Sequence, residues 1–405
     1  MNAENRRLRV LFINRSYWPD SEATGQLLTE LCEGIAEEFD VHVLAGQPNA
    51  TSEDEWKSTQ VRNGVTIHRA SHTVFPKHFM VLKALNFLSF VLACWRRVGK
   101  IPVPDVVVFE TDPFLLPFVA DHLRKRSGCR IVGYLQDIYP DVAVALGKVG
   151  NNWFIRRLRK SLFAVYRRCD QMIVLSRDMK TLLLRAGIKE ENIVVIPNWA
   201  DTDRISPVNG LNDFLNRNEL NGRFVVMYSG NLGLTQRLEE FITAAHQLAD
   251  NEEIQFVFIG RGARKQSLEK MVRDLGLTNV RFLDYQPKDT LAHSLSAADV
   301  HLIPLTQELS ECLMPSKLYG ILASGRPYIT NAPPTSELHE ITVSHDVGMT
   351  VDAGKVEDIV RAVDWAKTHP TELKAKGCRA RELVLSRYTR RQAVASFAEV
   401  LRNLT

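Results

Sequence analysis

Two side chains in this sequence combine a reactive type with a position where a parallel sheet presents its ligands. Lys317 stands in ECLMPSKLYGILASGRP (311–327), where Pro315-Ser316 can start a helix, Ser316 suits the cap and Gly325 can end it. A lysine in a first helical turn opposes the helix dipole. The spacing favours an anionic ligand as the compensation; a solvated lysine is the plainer alternative. Asp137 ends the apolar run RIVGYLQD (130–137). Its candidate roles are general base, hydroxyl acceptor or stabiliser of a carbocation, and capping of the next turn stands level with them. Three loops carry glycine directly after apolar runs: NRSYWPDSEATGQ (14–26) with Gly25, SGNLG (229–233) and IGRG (259–262). None is a GxGxxG or a GxxxxGK[ST], so neither a nicotinamide site nor a P-loop is indicated. Together they favour a phosphate ligand over three ordinary tight turns. Glu110 and Asp112 (FETDPF) and Asp201 and Asp203 (DTD) have spacings that could hold a divalent metal. Polar loops produce such pairs by chance, which is the preferred reading, and no metal is expected.

These residues require strands to position them. Short apolar runs alternate with amphipathic helical patterns throughout, the mark of an α/β protein with parallel sheets. The first series is LRVLFIN (8–14), VHVLAG (41–46), VTIHRA (65–70), DVVVFE (105–110), RIVGYLQD (130–137), QMIVLS (171–176) and NIVVIPN (192–198). The second is RFVVMYSGN (223–231), IQFVFIG (254–260), VRFLDY (280–285), DVHLIPL (299–305), GRPYITN (325–331) and VGMTV (347–351). Each series predicts one doubly wound domain: 1–198 and 223–385, with a polar hinge at 199–222 between them. The segment 386–405 reads as a helix with no strand after it. Two such domains facing each other would form a central cleft lined by the carboxyl ends of their strands.

Composition narrows the class further. A chain of 405 residues, 45% hydrophobic and 24% charged, is of ordinary globular make-up. The net charge of +4 is too mild to indicate nucleic acid, and it is uneven: 27 basic against 21 acidic residues over 1–200, then 24 against 26. Six scattered cysteines without a CxxC pair read as reduced thiols. The apolar run Val10–Ile13 is too brief for a signal peptide, and no run of 18 apolar residues is present to span a bilayer. The expected location is the cytoplasm. Two segments join bulk to charge: 75–97, with Phe75, Phe79, Phe87, Phe90 and Trp95, and 152–170, with Arg156, Arg157, Arg159, Lys160, Arg167 and Arg168 beside Trp153 and Phe154. Core burial accounts for the apolar residues but not for the cations, so contact with an anionic inner-membrane surface is expected, mainly through Arg156, Arg157, Arg159 and Lys160.

Taken together, YWPDSEATGQ, LQDIYPD, PNWADTDRISP, MYSGNLGLTQRLEEFI, FIGRGARKQSLE and MPSKLYGILASGRPYI resemble the bacterial retaining glycosyltransferases of GT-B fold in family 4. Within that family they resemble the branch that builds colanic-acid, capsule and O-antigen polysaccharides. The resemblance implies two Rossmann-like domains with the final helix packed back on the first. It implies a nucleotide diphosphate sugar, UDP- or GDP-linked, held by Gly230, Asn231, Gly233, Arg237, Gly260, Arg261, Tyr285, Glu311, Pro315 and Ser316. A polyprenyl-diphosphate-linked acceptor would meet Gly25, Glu110 and Asn198. Lys317, Arg261 and the backbone N–H groups of 230–233 and 316–317 would stabilise the leaving diphosphate, and Asp137 would orient the acceptor or the reacting sugar. Two departures stand out. The family's paired glutamates fall on Cys312 and Gly320, and its diphosphate-binding Arg and Lys on Asn231 and Gln236; Arg237, Arg261 and Lys317 are the nearby substitutes. The rival readings are a non-hydrolysing nucleotide-sugar 2-epimerase, which lacks its cluster of acids and histidines here, and an inactive lobe that binds a partner at the membrane.

Overall fold

The computed structural model describes residues 6–20, 22–48, 57–75, 80–208, 210, 212–233 and 237–404. The chain forms two units, Met1–Pro197 with Arg391–Thr405, and Asn198–Arg390.

The first unit is built on strands β1 (Arg9–Ile13), β2 (Asp40–Gly46), β3 (Thr59–Arg62), β4 (Val65–Ala70), β5 (Val106–Phe109), β6 (Arg130–Leu135), β7 (Gln171–Val174) and β8 (Ile193–Val195). Their order in the sheet is β3-β4-β2-β1-β5-β6-β7-β8, parallel except for the β3–β4 pair. The near-continuous apolar runs of β1, β5 and β6 follow from burial on both faces. The helices after β4, β5, β6 and β7 all step the same way along the sheet, so right-handed crossovers place them on one face. The helix Ala23–Ile35 steps the other way. It shares the opposite face with the C-terminal helix Arg390–Arg402, whose Phe397 packs on Phe12 and Tyr134 at ring separations of 6.0 and 5.2 Å. Gly34 allows that approach, since a Cβ there would lie 2.7 Å from the Val394 side chain.

β3 was not anticipated from the sequence. It pairs antiparallel with β4 through Asn63-Gly64, whose φ angles of 46° and 80° are those of a type I′ hairpin turn.

The second unit has strands β9 (Phe224–Ser229), β10 (Ile254–Ile259), β11 (Val280–Leu283), β12 (Val300–Leu302), β13 (Tyr328–Thr330) and β14 (Gly348–Thr350) in a parallel sheet ordered β11-β10-β9-β12-β13-β14. The polar stretch 199–222, expected as a hinge, is largely packed into this unit. Phe214 and Leu220 join the core with Val225, Met227, Val257 and Ile259. Arg381 donates to the carbonyls of Thr202, Ile205 and Ala323. Residues close to the end return to the same place, with Ala200 bridged to Thr389 and the rings of Tyr319 and Tyr388 5.3 Å apart. Among the described residues no helix is long and apolar enough to cross a membrane.

Candidate functional site

Both groups of candidate residues lie at the carboxyl ends of strands, each within its own unit. In the second unit, β9 and β10 end side by side, with Ser229 in register with Ile259. The turns that follow interlock. Gly230 N–H donates to Ile259 O at 2.9 Å, and Leu232 N–H to Arg261 O at 2.9 Å. A Cβ on Gly260 would sit 1.9 Å from Gly230 O, and one on Gly262 would sit 2.2 Å from Leu232 O. At Gly230 and Gly260, φ is 149° and 147°. These glycines are therefore required by the packing of turn on turn, whatever binds there. The N–H groups of Gly230 and Leu232, expected to face a leaving group, are taken up inside the fold.

The charge at this place comes from Lys317. Its Nζ is buried, has no hydrogen-bond partner and lies 3.5 Å from the centre of the Tyr228 ring. A side chain at Gly230 would place its Cβ only 3.1 Å from that nitrogen. Tyr228 is fixed in turn, because its hydroxyl donates to Asn231 O at 2.7 Å. Burial alone drives the Lys317 amine well below the usual lysine range. The two other expected cations are exposed and already paired. Arg237 meets Glu240 at 3.1 Å, and Arg261 meets Asp284 at 3.4 Å, where Lys265 also reaches at 3.3 Å. Gln236 lies outside the described residues.

The expected cap at Ser316 is not made. Its backbone is helical, at φ −60° and ψ −26°, and the side chain makes no capping bond; Leu318 N–H reaches Pro315 O instead. The helix Lys317–Ala323 is only seven residues long, so its dipole contributes little beside the amine. Tyr285 is half exposed, Asn231 is exposed, and Glu311 follows the short helix Gln307–Ser310. Cys312 is buried, its thiol directed to Glu308 O.

In the first unit, a cavity of about 230 Å³ opens beyond β1, β5 and β6. Glu110, Asp112, Asp137, Arg15, Phe114 and Tyr139 line it, together with Glu22, His72 and Phe87. Arg15 ties two elements together, donating to Asp112 at 2.8 and 3.3 Å and to Glu22 at 3.1 Å. The rings of Phe114 and Tyr139 are stacked 5.3 Å apart. Asp137 is raised from its ordinary 3.8 to about 6 by desolvation first and by the charge of Asp112 second, with Lys148 opposing. Glu110 is 1% exposed, both its oxygens are buried without a partner, and burial lifts its carboxyl well above the usual range.

The sequence missed five of these participants: Tyr228, Arg15, His72, Phe114 and Tyr139. Tyr228 lies within β9 and the other four stand within a few residues after an apolar run, a signal that only the strand order converts into proximity. Gly25 lies in the first turn of the helix Ala23–Ile35, where a Cβ would meet Ser16 Oγ at 2.6 Å. Asn198 is buried and does not line the cavity.

On the basic segment, Arg156, Arg157 and Lys160 are exposed beside Trp153 and Phe154, which are 70% and 65% exposed. Arg159, also expected to face lipid, is bound to Asp141 at 2.8 and 2.9 Å and lies 4.2 Å over the Phe163 ring. On the helix Met80–Val98, Leu85, Leu88, Leu92 and Trp95 form an exposed stripe at helical spacing; Phe79 lies outside the described residues.

Comparison with known proteins agrees with this architecture. Residues 24–204 match the family described as Glycosyltransferase Family 4, and residues 212–382 match Glycosyl transferases group 1. The chain is 28% identical over 387 residues to the putative colanic acid biosynthesis glycosyl transferase WcaI of Escherichia coli K12, covering 90% of this chain and 93% of that protein. It is 28% identical over 302 residues to the probable glycosyltransferase WbjE of Pseudomonas aeruginosa, covering 74% and 75%. Among solved structures, sucrose-phosphate synthase from Thermosynechococcus elongatus superposes with a TM-score of 0.80 at 17% identity, covering 98% and 99%. Anabaena HepE, in complex with UDP and glucose, gives 0.75 at 15% identity, covering 98% and 100%.

Proposed function

The chain belongs to the glycosyltransferases of GT-B fold that join a Family 4 domain to a group 1 domain, and we propose that it moves a sugar from a UDP- or GDP-linked donor to a polyprenyl-linked or polysaccharide acceptor with retention of configuration. The observation that carries this reading is the buried, unpartnered Nζ of Lys317 beside Gly230. A lone amine in that setting is costly until an anion pairs with it, and a diphosphate is the anion that glycosyl transfer generates. The colanic-acid enzyme among the relatives supports polysaccharide assembly, and the UDP complex of HepE supports a nucleotide-linked donor.

The bond from the anomeric carbon to the diphosphate oxygen breaks, and its electron pair goes to that oxygen. The Lys317 ammonium neutralises the charge that develops there. An acceptor hydroxyl then bonds to the anomeric carbon on the same face, and its proton leaves with the diphosphate. Asp137, ionised above about pH 6, accepts a hydrogen bond from a sugar hydroxyl and fixes its direction. The test is nucleotide release from UDP- and GDP-sugars, with and without a polyprenyl-diphosphate-linked sugar. Release that requires the acceptor is expected; conversion of the donor to its 2-epimer without nucleotide release would mark an epimerase, and neither release nor conversion with any donor would mark an inactive lobe.

Among the described residues no three His, Cys, Asp or Glu side chains come together as a metal site. The chemical step is accordingly expected to run nearly unchanged in EDTA or added Mg²⁺. Full loss in EDTA with recovery in Mn²⁺ would instead make ligands of the loop carboxylates.

The first unit is proposed to dock on the inner membrane surface through Arg156, Arg157 and Lys160, with Trp153 and Phe154 entering the headgroup layer. Each cation near an anionic surface contributes about 1 kcal/mol. Changing these three cations to Glu is expected to abolish low-salt co-sedimentation with anionic vesicles while leaving neutral vesicles unbound. Equal sedimentation of wild type and mutant would leave the helix merely solvated.

A further inference from the structure

Positive charge gathers in the first unit at the end of the sheet away from Glu110 and Asp137. A hollow of about 680 Å³ is lined there by Arg124, Arg130, Arg167, Arg168 and Lys189 and, among the described residues, by one acid, Asp170. Arg130 opens β6, Gln171 opens β7 and Asn192 precedes β8, so the hollow sits at the amino ends of these parallel strands. The carboxyl ends carry Glu110 and Asp137. The helix Trp153–Tyr166, which leads into β7 through Arg167–Asp170, is about 20 Å long and lies between the two ends.

The acids at this place are shared among more cations than they can balance. Asp170 accepts from Arg130 at 2.9 Å, from the Ile131 N–H at 2.8 Å, and meets Arg124 at 3.3 Å. Asp121 meets Arg168 at 3.1 Å and Lys125 at 2.8 Å. Arg167 donates from Nη1 to Ala186 O at 2.9 Å and meets no carboxylate among the described residues. Lys189 is balanced by Glu191 at 3.2 Å. Five cations (Arg124, Lys125, Arg130, Arg167 and Arg168) therefore stand against two carboxylates, an excess of three charges. The helices Leu116–Ser127, Trp153–Tyr166 and Arg177–Arg185 all end here. Each C-terminus carries roughly −0.5 of a charge, so together they offset only about half of that excess.

Arg130 and Arg167 are each anchored through Nη1 alone, which leaves Nε and Nη2 of both to donate. A guanidinium fixed at one nitrogen, with N–H groups left over, matches the paired oxygens of a phosphoryl group. The volume falls within the roughly 300–1,000 Å³ of small-molecule sites, room for more than one such group. We infer that this hollow is a second anion site, which takes a phosphoryl-bearing ligand on Arg130 and Arg167, remote from the transfer site. The chemistry is the same for a soluble diphosphate and for a phospholipid headgroup, and experiment separates the two. The inference does not depend on the transferase reading, which concerns other residues.

The experiment titrates the full chain with pyrophosphate at constant ionic strength, and hydrogen exchange reports where it binds. Protection is expected in 121–131, 165–171 and 186–192. Arg130→Gln combined with Arg167→Gln should remove that protection and weaken binding there about tenfold or more. Asp170 keeps Arg124 and the Ile131 N–H in that variant, so its turn stays satisfied. If the pair does not fold, Arg167→Gln alone, which breaks only the bond to Ala186 O, decides. Arg156→Gln with Arg157→Gln removes equal charge from the same unit and should leave pyrophosphate binding unchanged. A second arm sediments wild type and the Arg130/Arg167 variant with vesicles of phosphatidylcholine and phosphatidylglycerol. Pyrophosphate protection that the variant loses supports a soluble ligand. Vesicle binding that the variant loses, without pyrophosphate protection in wild type, supports a headgroup. Neither loss, or an equal loss of pyrophosphate affinity in the Arg156/Arg157 variant, would overturn the inference. Protection around Gly230 by UDP, measured on the same proteins, tests the transferase reading separately.

Discussion

Lys317→Ala is expected to lower sugar transfer by about 10²–10³, the loss seen when one preorganised group that stabilises transition-state charge is removed. The expectation rests on the absence of a substitute. Arg237 and Arg261 are held at the surface by Glu240 and Asp284, and the N–H groups of Gly230 and Leu232 are engaged within the fold. A second effect separates mechanism from damage. In the ligand-free chain the buried amine lies well below its ordinary range, so at neutral pH folding must strip a proton from it or bury its charge. Lys317→Met, of similar length but without charge, should therefore unfold at a temperature equal to or above wild type while transferring as poorly as Lys317→Ala. Activity within about threefold of wild type in either variant would remove Lys317 from the mechanism.

Asp137→Asn is expected to trade activity for stability in the same sense. Its pKa is raised in the folded chain, so the group favours folding at low pH and loses that contribution as pH rises through about 4 to 6. A shift from 3.8 to about 6 corresponds at most to about 3 kcal/mol at neutral pH. Asparagine removes the cost without changing shape. Thermal unfolding at pH 7.5 should shift upward by several degrees, and the gain should vanish near pH 4. Transfer should fall by on the order of 10²-fold or more, because the amide does not supply the carboxylate that orients the hydroxyl. Wild-type transfer should itself rise as pH increases through about 6, a limb absent from the variant. Unchanged stability at pH 7.5 together with unchanged rate would make Asp137 an ordinary turn residue.

How legible was this in the sequence? The parallel strands were visible because burial on both faces leaves uninterrupted apolar runs such as VVVF and IQFVFI. β3 was hidden because TQVR is a half-exposed edge strand; the Asn63-Gly64 pair after it was the available clue. The stretch 199–222 reads as a linker by composition. What folds it is Arg381, some 180 residues away, which satisfies its carbonyls, and no local pattern records that. Lys317 stood out as a cation set against a helix dipole, but its real distinction is burial over Tyr228 beside a turn whose glycine leaves room for Nζ. Glu110 and Asp112 looked like a chance acidic pair. Strand order gives them different fates, Asp112 bonded to Arg15 and Glu110 buried alone.

The central claim is that the Lys317 amine receives the donor's diphosphate, and calorimetric titration of UDP and GDP in buffers of different ionisation enthalpy tests it most directly. An anion seated on an amine of lowered pKa restores its proton, so binding should take up protons and weaken as pH rises. The account predicts proton uptake in wild type, absent in Lys317→Met, with weaker nucleotide binding in that variant at every pH. Equal affinity and equal proton linkage in the two proteins would contradict it.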